Sequence, residues 1–86
     1  MSKFAYQEIP LKGFEIDDDL YLCGTSIEEA QKICGKRSIQ APSASIRCVE
    51  LDDKGREIKY IGSATDGIVS GFGHKKPFRL YASNKA

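Results

Sequence analysis

An α+β fold, with one helix packed on a mainly antiparallel sheet of four to five strands in the order β-β-α-β-β(-β), is what this 86-residue sequence predicts. Three observations predict it. Residues 26–34 carry one strong helix signature. Residues 45–62 read as a β-hairpin. The other apolar runs are short and closed by Gly or Pro, which suits strands better than helices.

Phe4 to Ile9 is rich in aromatic and aliphatic residues and stops at Pro10, so it reads as the first strand. Lys12 to Asp19 is polar and acidic and reads as a loop. Leu20 to Cys23 forms a short second strand halted by Gly24. Ser26-Ile27-Glu28-Glu29 then fits a capping box, with Ser26 at the N-cap and Glu29 three residues on. Ile27, Ala30, Ile33 and Cys34 recur at helical spacing as one apolar stripe, and Gly35 suits a C′ position, so the helix is placed over about 26–34. Lys36 to Ser43 is a connection. Ser45 to Leu51 is a strand that puts Ile46, Cys48 and Glu50 on one face and Arg47, Val49 and Leu51 on the other. Asp52 to Gly55 makes a tight turn, with Gly55 at positive φ. Arg56 to Gly62 returns as the partner strand, with Ile58 and Tyr60 sharing a face. Gly67-Ile68-Val69 and Phe78 to Tyr81 supply one or two further short strands, and residues 83–86 are expected to fray.

At this length a single domain spanning 1–86 is the sensible count, burying roughly 60% of the surface its unfolded chain exposes. With no Trp, the four Phe and four Tyr supply most of the large apolar surface. Three cysteines make an odd number, unlike a disulfide scaffold, and the first residues lack an apolar leader. The chain is therefore expected to be cytoplasmic and reduced, without a membrane span or cofactor. Net charge is only +1, but it is polarised. Residues 1–24 sum to −3, whereas residues 71–86 hold Lys75, Lys76, Arg79 and Lys85 with no acid, a sum of +4.

Catalytic and metal-binding patterns are sparse. Cys23, Cys34 and Cys48 lie eleven and fourteen residues apart and lack C-x-x-C pairing, so no metal is expected, and Cys34 and Cys48 read as buried core thiols. Asp17, Asp18 and Asp19 lack the spacing of a calcium loop and read as a solvated acidic loop. Cys34, placed near the negative end of the helix, is a poor thiolate. Cys23 precedes the helix N-terminus, with His74 the sole candidate base, so a cysteine-dependent enzyme would use Cys23. The glycines at 67, 71 and 73 miss the phosphate-loop spacing, and Pro77 blocks a following helix.

The basic C-terminal region fits two readings. His74, Lys75, Lys76, Phe78, Arg79 and Tyr81, with Phe72, interleave charge and aromatics as single-strand nucleic-acid binders do. Lys36, Arg37 and Arg47 extend that surface if loop and strand lie on one side. Equally, lysines of this kind solubilise an edge strand. The segment Cys23 to Tyr60, with Thr25–Ile33, Ile46–Glu50 and Lys59-Tyr60, resembles small phage-encoded anti-CRISPR proteins of β-α-β-β build. That resemblance implies a non-enzymatic inhibitor that docks on a CRISPR effector complex and blocks its use of nucleic acid.

The expectation is therefore a small non-enzymatic binding protein for a protein or nucleoprotein partner. Its contacts would come from the acidic residues 17–19 and the basic residues named above. Direct nucleic-acid contact is the alternative. The state is either monomeric or a homodimer paired through a strand edge.

Overall fold

A single antiparallel sheet runs β2-β1-β3-β4-β5-β6 in space, with one helix laid across one of its faces. The computed structural model describes residues 3–13 and 18–83. Its elements are β1 (Lys3–Pro10), β2 (Tyr21–Leu22), α1 (Ile27–Gln40), β3 (Ala44–Leu51), β4 (Glu57–Thr65), β5 (Ile68–Gly71) and β6 (Phe78–Arg79). The α+β class and the β-β-α-β-β beginning agree with the sequence reading. The sheet has six strands rather than four to five, because both short C-terminal runs pair in series on β4.

Local chemistry explains the helix start. Ser26 sits in extended backbone and its Oγ accepts from the Glu29 amide at 3.1 Å. Glu29 Oε1 reaches back to the Thr25 amide at 3.0 Å, one residue before the N-cap. The end of the helix departs from expectation. Gly35 lies inside α1 and is buried, and a Cβ there would meet the Tyr81 ring at 3.1 Å and Leu80 at 3.2 Å. Gly35 is thus a packing glycine, not a terminator. The helix runs on to Gln40 and stops where Pro42 pushes Ala41 out of helical backbone.

The buried stripe agrees with the predicted one at Ala30 and Cys34 and differs elsewhere. Ala30, Cys34, Gly35 and Ser38 face the sheet, whereas Ile27 and Ile33 stay partly exposed. Small residues let the helix lie close to the strands. Against them pack Phe4, Cys23, Ile46, Cys48, Ala64, Val69 and Phe72, with Tyr6, Ile61, Phe78 and Leu80 at the rim.

The hairpin turn forms as read, with Gly55 at φ +80° and Asp52 Oδ1 accepting from the amides of Lys54 and Arg56. Two irregularities interrupt β3–β4 pairing, between Cys48 and Val49 and between Glu50 and Leu51. At the second, Leu51 pairs with Glu57 and Ile58 has no opposite, so the simple alternation expected of Ile58 and Tyr60 does not hold. Each edge strand, β2 and β6, is two residues long, and β2 pairs only with Ala5 and Tyr6 of β1. Among the described residues no helix is long and apolar enough to cross a membrane.

Candidate functional site

The side of the sheet opposite α1 carries no second layer among the described residues. Its composition follows from register, because directly opposed antiparallel residues share a face. Ala5 opposes Leu22 on one side and Val49 on the other, and Val49 opposes Tyr60, giving a transverse row Leu22–Ala5–Val49–Tyr60. The next row is Gln7–Arg47–Ser63–Ser70, and beyond it runs Ile68 beside Arg79. Ala5, Val49 and Leu51 form a small buried cluster of their own on this face. Leu22 (68% exposed), Tyr60 (53%) and Ile68 (40%) stand proud of it.

Two arginines on this face are held in place. Arg47 makes a bidentate pair with Glu57, at 2.8 and 2.7 Å, and its guanidinium lies 5.7 Å from the Tyr60 ring centre. The hydrogen bonds from Arg47 lower the Glu57 carboxyl below its ordinary value and raise Arg47 in turn. Arg79 donates to the carbonyls of Asp66 at 2.8 Å and Tyr81 at 3.1 Å. Its other nitrogen lies 3.9 Å from the Asp66 carboxylate. A face that combines a fixed Arg, an exposed Tyr and exposed aliphatics has the composition of interface centres.

The predicted site residues divide between the two sides of the sheet. Arg47 and Arg79 share the uncovered face. Arg37 does not join them: it sits on α1, paired with Glu8 of β1, and Lys36 is exposed on the same helix. The idea that Lys36, Arg37 and Arg47 extend one surface is therefore corrected, because the helix and the outward side of β3 face opposite ways. His74 lies between β5 and β6 and turns to the helix, with a ring nitrogen 3.0 Å from Gln31 Oε1 and its ring edge-on to Phe78 at 4.7 Å. Lys75 and Lys76 in the same turn are exposed. Phe72 is buried, Phe78 is half-buried against the core, and Tyr81 packs where Gly35 leaves room. The rings of the basic region are thus occupied in packing. Asp18 and Asp19 are exposed, and Asp17 lies outside the described residues. A shallow groove of about 500 Å³, lined by Ile27, Glu28, Gln31, Lys32, Phe72 and His74, runs along the helix beside the basic turn.

The cysteines converge. Cys23 from the end of β2, Cys34 from the middle of α1 and Cys48 from the middle of β3 are all buried, and their sulfurs lie within 4.8 Å of one another. Cys23 Sγ and Cys48 Sγ are 4.0 Å apart. Hydrogen bonds from Cys23 and Cys34 pull the Cys48 thiol down, against the effect of burial. Cys34 is pushed up by its interactions with the Cys23 and Cys48 thiols and by burial. The Cys34 thiol acts to lower Cys23, yet the contact of Cys23 with Cys48 and burial push it up to about 12. A nucleophile needs access to its substrate, and Cys23, 1% exposed, is closed off in this structure. Cys34 is also mid-helix rather than at a terminus, so the dipole argument made for it lapses.

Sequence reasoning missed Tyr60, Glu57, Leu22 and Ile68 as surface residues. The hairpin's alternation was a usable signal for Tyr60, but which face the helix covers is settled only by the sheet order. Comparison with protein-family models, curated proteins and solved structures gives no match.

Proposed function

We propose that this protein is a non-enzymatic binding module, an inhibitor that docks the uncovered face of its sheet on a protein or nucleoprotein partner and blocks the partner's use of nucleic acid. The observation that carries this reading is the fixed Arg47–Glu57 pair beside an exposed Tyr60 on a face that no other described element covers. Such a pair loses little side-chain freedom on binding, because the guanidinium is already held. The molecule measures 41 × 30 × 18 Å, so its broad face is large enough for the ~800 Å² that each side of a standard interface contributes. Arg79 on that face, with Lys75 and Lys76 exposed in the β5–β6 turn on the helix side, would steer the module toward acidic surface, which a nucleoprotein offers. The resemblance of Cys23–Tyr60 to small anti-CRISPR proteins supports an effector complex as the partner class.

Affinity capture from a lysate of the native host, with and without nuclease, tests this. The expected result is a stoichiometric protein partner that survives nuclease and is recovered less by a Lys75→Glu/Lys76→Glu/Arg79→Glu variant at low salt. Recovery of nucleic acid alone, abolished by nuclease, overturns the reading in favour of direct nucleic-acid binding.

A further inference from the structure

The three-thiol cluster is independent of the docking face, being buried on the other side of the sheet. A triangle with no side longer than 4.8 Å contains a point no more than about 2.8 Å from all three corners. Metal–thiolate bonds are about 2.3 Å, and three sulfurs in a plane around one ion are then about 4.0 Å apart. That separation matches Cys23–Cys48 at 4.0 Å, so small side-chain shifts close the site without moving the backbone.

We infer that Cys23, Cys34 and Cys48 form a three-sulfur site for a soft, low-coordinate metal ion of the Cu(I) class. The donor set selects the ion. Among the described residues the cluster contains no His, Asp or Glu; the buried residues packed with it are Phe4, Ala30, Ile46, Ala64, Val69 and Phe72, and the ionisable groups close enough to act on its thiols are Tyr6 and Glu29. Structural Zn(II) sites take a fourth ligand, and sulfurs no more than 4.8 Å apart enclose a single ion rather than a multi-iron cluster, whereas Cu(I) accepts soft sulfur donors at low coordination number. Each thiol that becomes a thiolate on binding releases its proton to solvent, so uptake strengthens as pH rises. Rigid elements hold two of the ligands, Cys34 on α1 and Cys48 inside β3. The third, Cys23, follows a two-residue edge strand, and its amide donates to Phe4 O at 2.8 Å. Lifting that edge opens the site to an incoming ion, so entry is slower than binding at an exposed thiol.

The test is anaerobic titration of the fully reduced chain with Cu(I) in competition with a chromophoric Cu(I) chelator, followed by X-ray absorption of the loaded protein. One equivalent per chain is expected to resist the chelator, with three sulfur neighbours at about 2.3 Å and a raised melting temperature. Zn(II) is expected to bind at least about tenfold more weakly, for want of a fourth donor. Cys34→Ala should lose the retained ion. Failure to retain Cu(I), a first shell of two sulfurs, nitrogen or oxygen neighbours, or full retention by a folded Cys34→Ala variant overturns the inference. The absorption spectrum of the unaltered chain decides the matter even if that variant does not fold.

Discussion

Ser38→Ala removes one hydroxyl from the helix–sheet contact and is expected to destabilise the whole C-terminal third. Ser38 is fully buried; its Oγ donates to Gly35 O at 2.6 Å and accepts from the Gly67 amide at 2.9 Å. The Gly35 carbonyl lies within α1, where the helix supplies its own donor, so that loss is minor. The Gly67 amide is different. It sits in the buried β4–β5 turn, and without the hydroxyl it loses its partner. The same residue's carbonyl receives the amides of Leu80 at 2.8 Å and Tyr81 at 3.2 Å, and that segment covers Gly35. Leaving a buried donor unsatisfied costs about 1–3 kcal/mol. In a domain this size each kcal/mol moves the melting temperature by about 4–8 °C, so a fall of at least about 4 °C is expected. Urea unfolding of Ser38→Ala beside Ser43→Ala, an exposed control, reads the difference with m unchanged. A Ser38→Ala loss below about 0.5 kcal/mol, no larger than an ordinary surface substitution, would refute the reasoning.

Two further outcomes follow from the structure. Gly62→Ala places a Cβ 2.6 Å from both the Phe72 ring and the Ser70 carbonyl oxygen, and the backbone oxygen cannot turn aside. It should cost about 1–3 kcal/mol in urea unfolding, and an unchanged midpoint would show that the β4–β5 contact is looser than described. In acid, Glu57 is lowered from an ordinary 4.5 by the hydrogen bonds of Arg47, and Asp52 from 3.8 by the Arg56 amide and neighbouring donors. Because the folded values are depressed, their stabilisation is complete above the unfolded values and is lost as pH falls through the folded ones. Urea midpoints should thus hold from pH 7 to about 5 and drop below about 4, with a shallower drop in Glu57→Gln/Asp52→Asn. An acid limb identical in that variant removes these two carboxylates from the explanation.

What the sequence revealed was local. The Ser26 cap, the 52–55 turn and the strands at 4–9 and 45–51 each rest on signals within a few residues, and each is present. What it concealed depends on residues far apart. Gly35 reads as a terminator because a C′ glycine and a packing glycine look alike until Leu80 and Tyr81 arrive against it. Of the predicted apolar stripe, Ala30 and Cys34 are buried, whereas close approach to the sheet replaces Ile27 and Ile33 with Gly35 and Ser38. The cysteines lie on three separate elements and meet only because β1 and β3 pair under α1. For the candidate surface, Arg47 and Arg79 were visible as charges, but their shared face follows from a register running across β3, β4, β5 and β6.

The proposed docking face is tested most directly by Tyr60→Ala. This substitution shortens an exposed side chain and leaves the core intact, so circular dichroism and the melting temperature should match the unaltered protein. Both forms are used as bait in the host lysate with nuclease present, and recovery is quantified by mass spectrometry. A truncated interface anchor typically costs 2 kcal/mol or more, so the account predicts at least about tenfold less partner with Tyr60→Ala. Equal recovery by the two forms would contradict it, and would move the interface to the helix side with its basic turn.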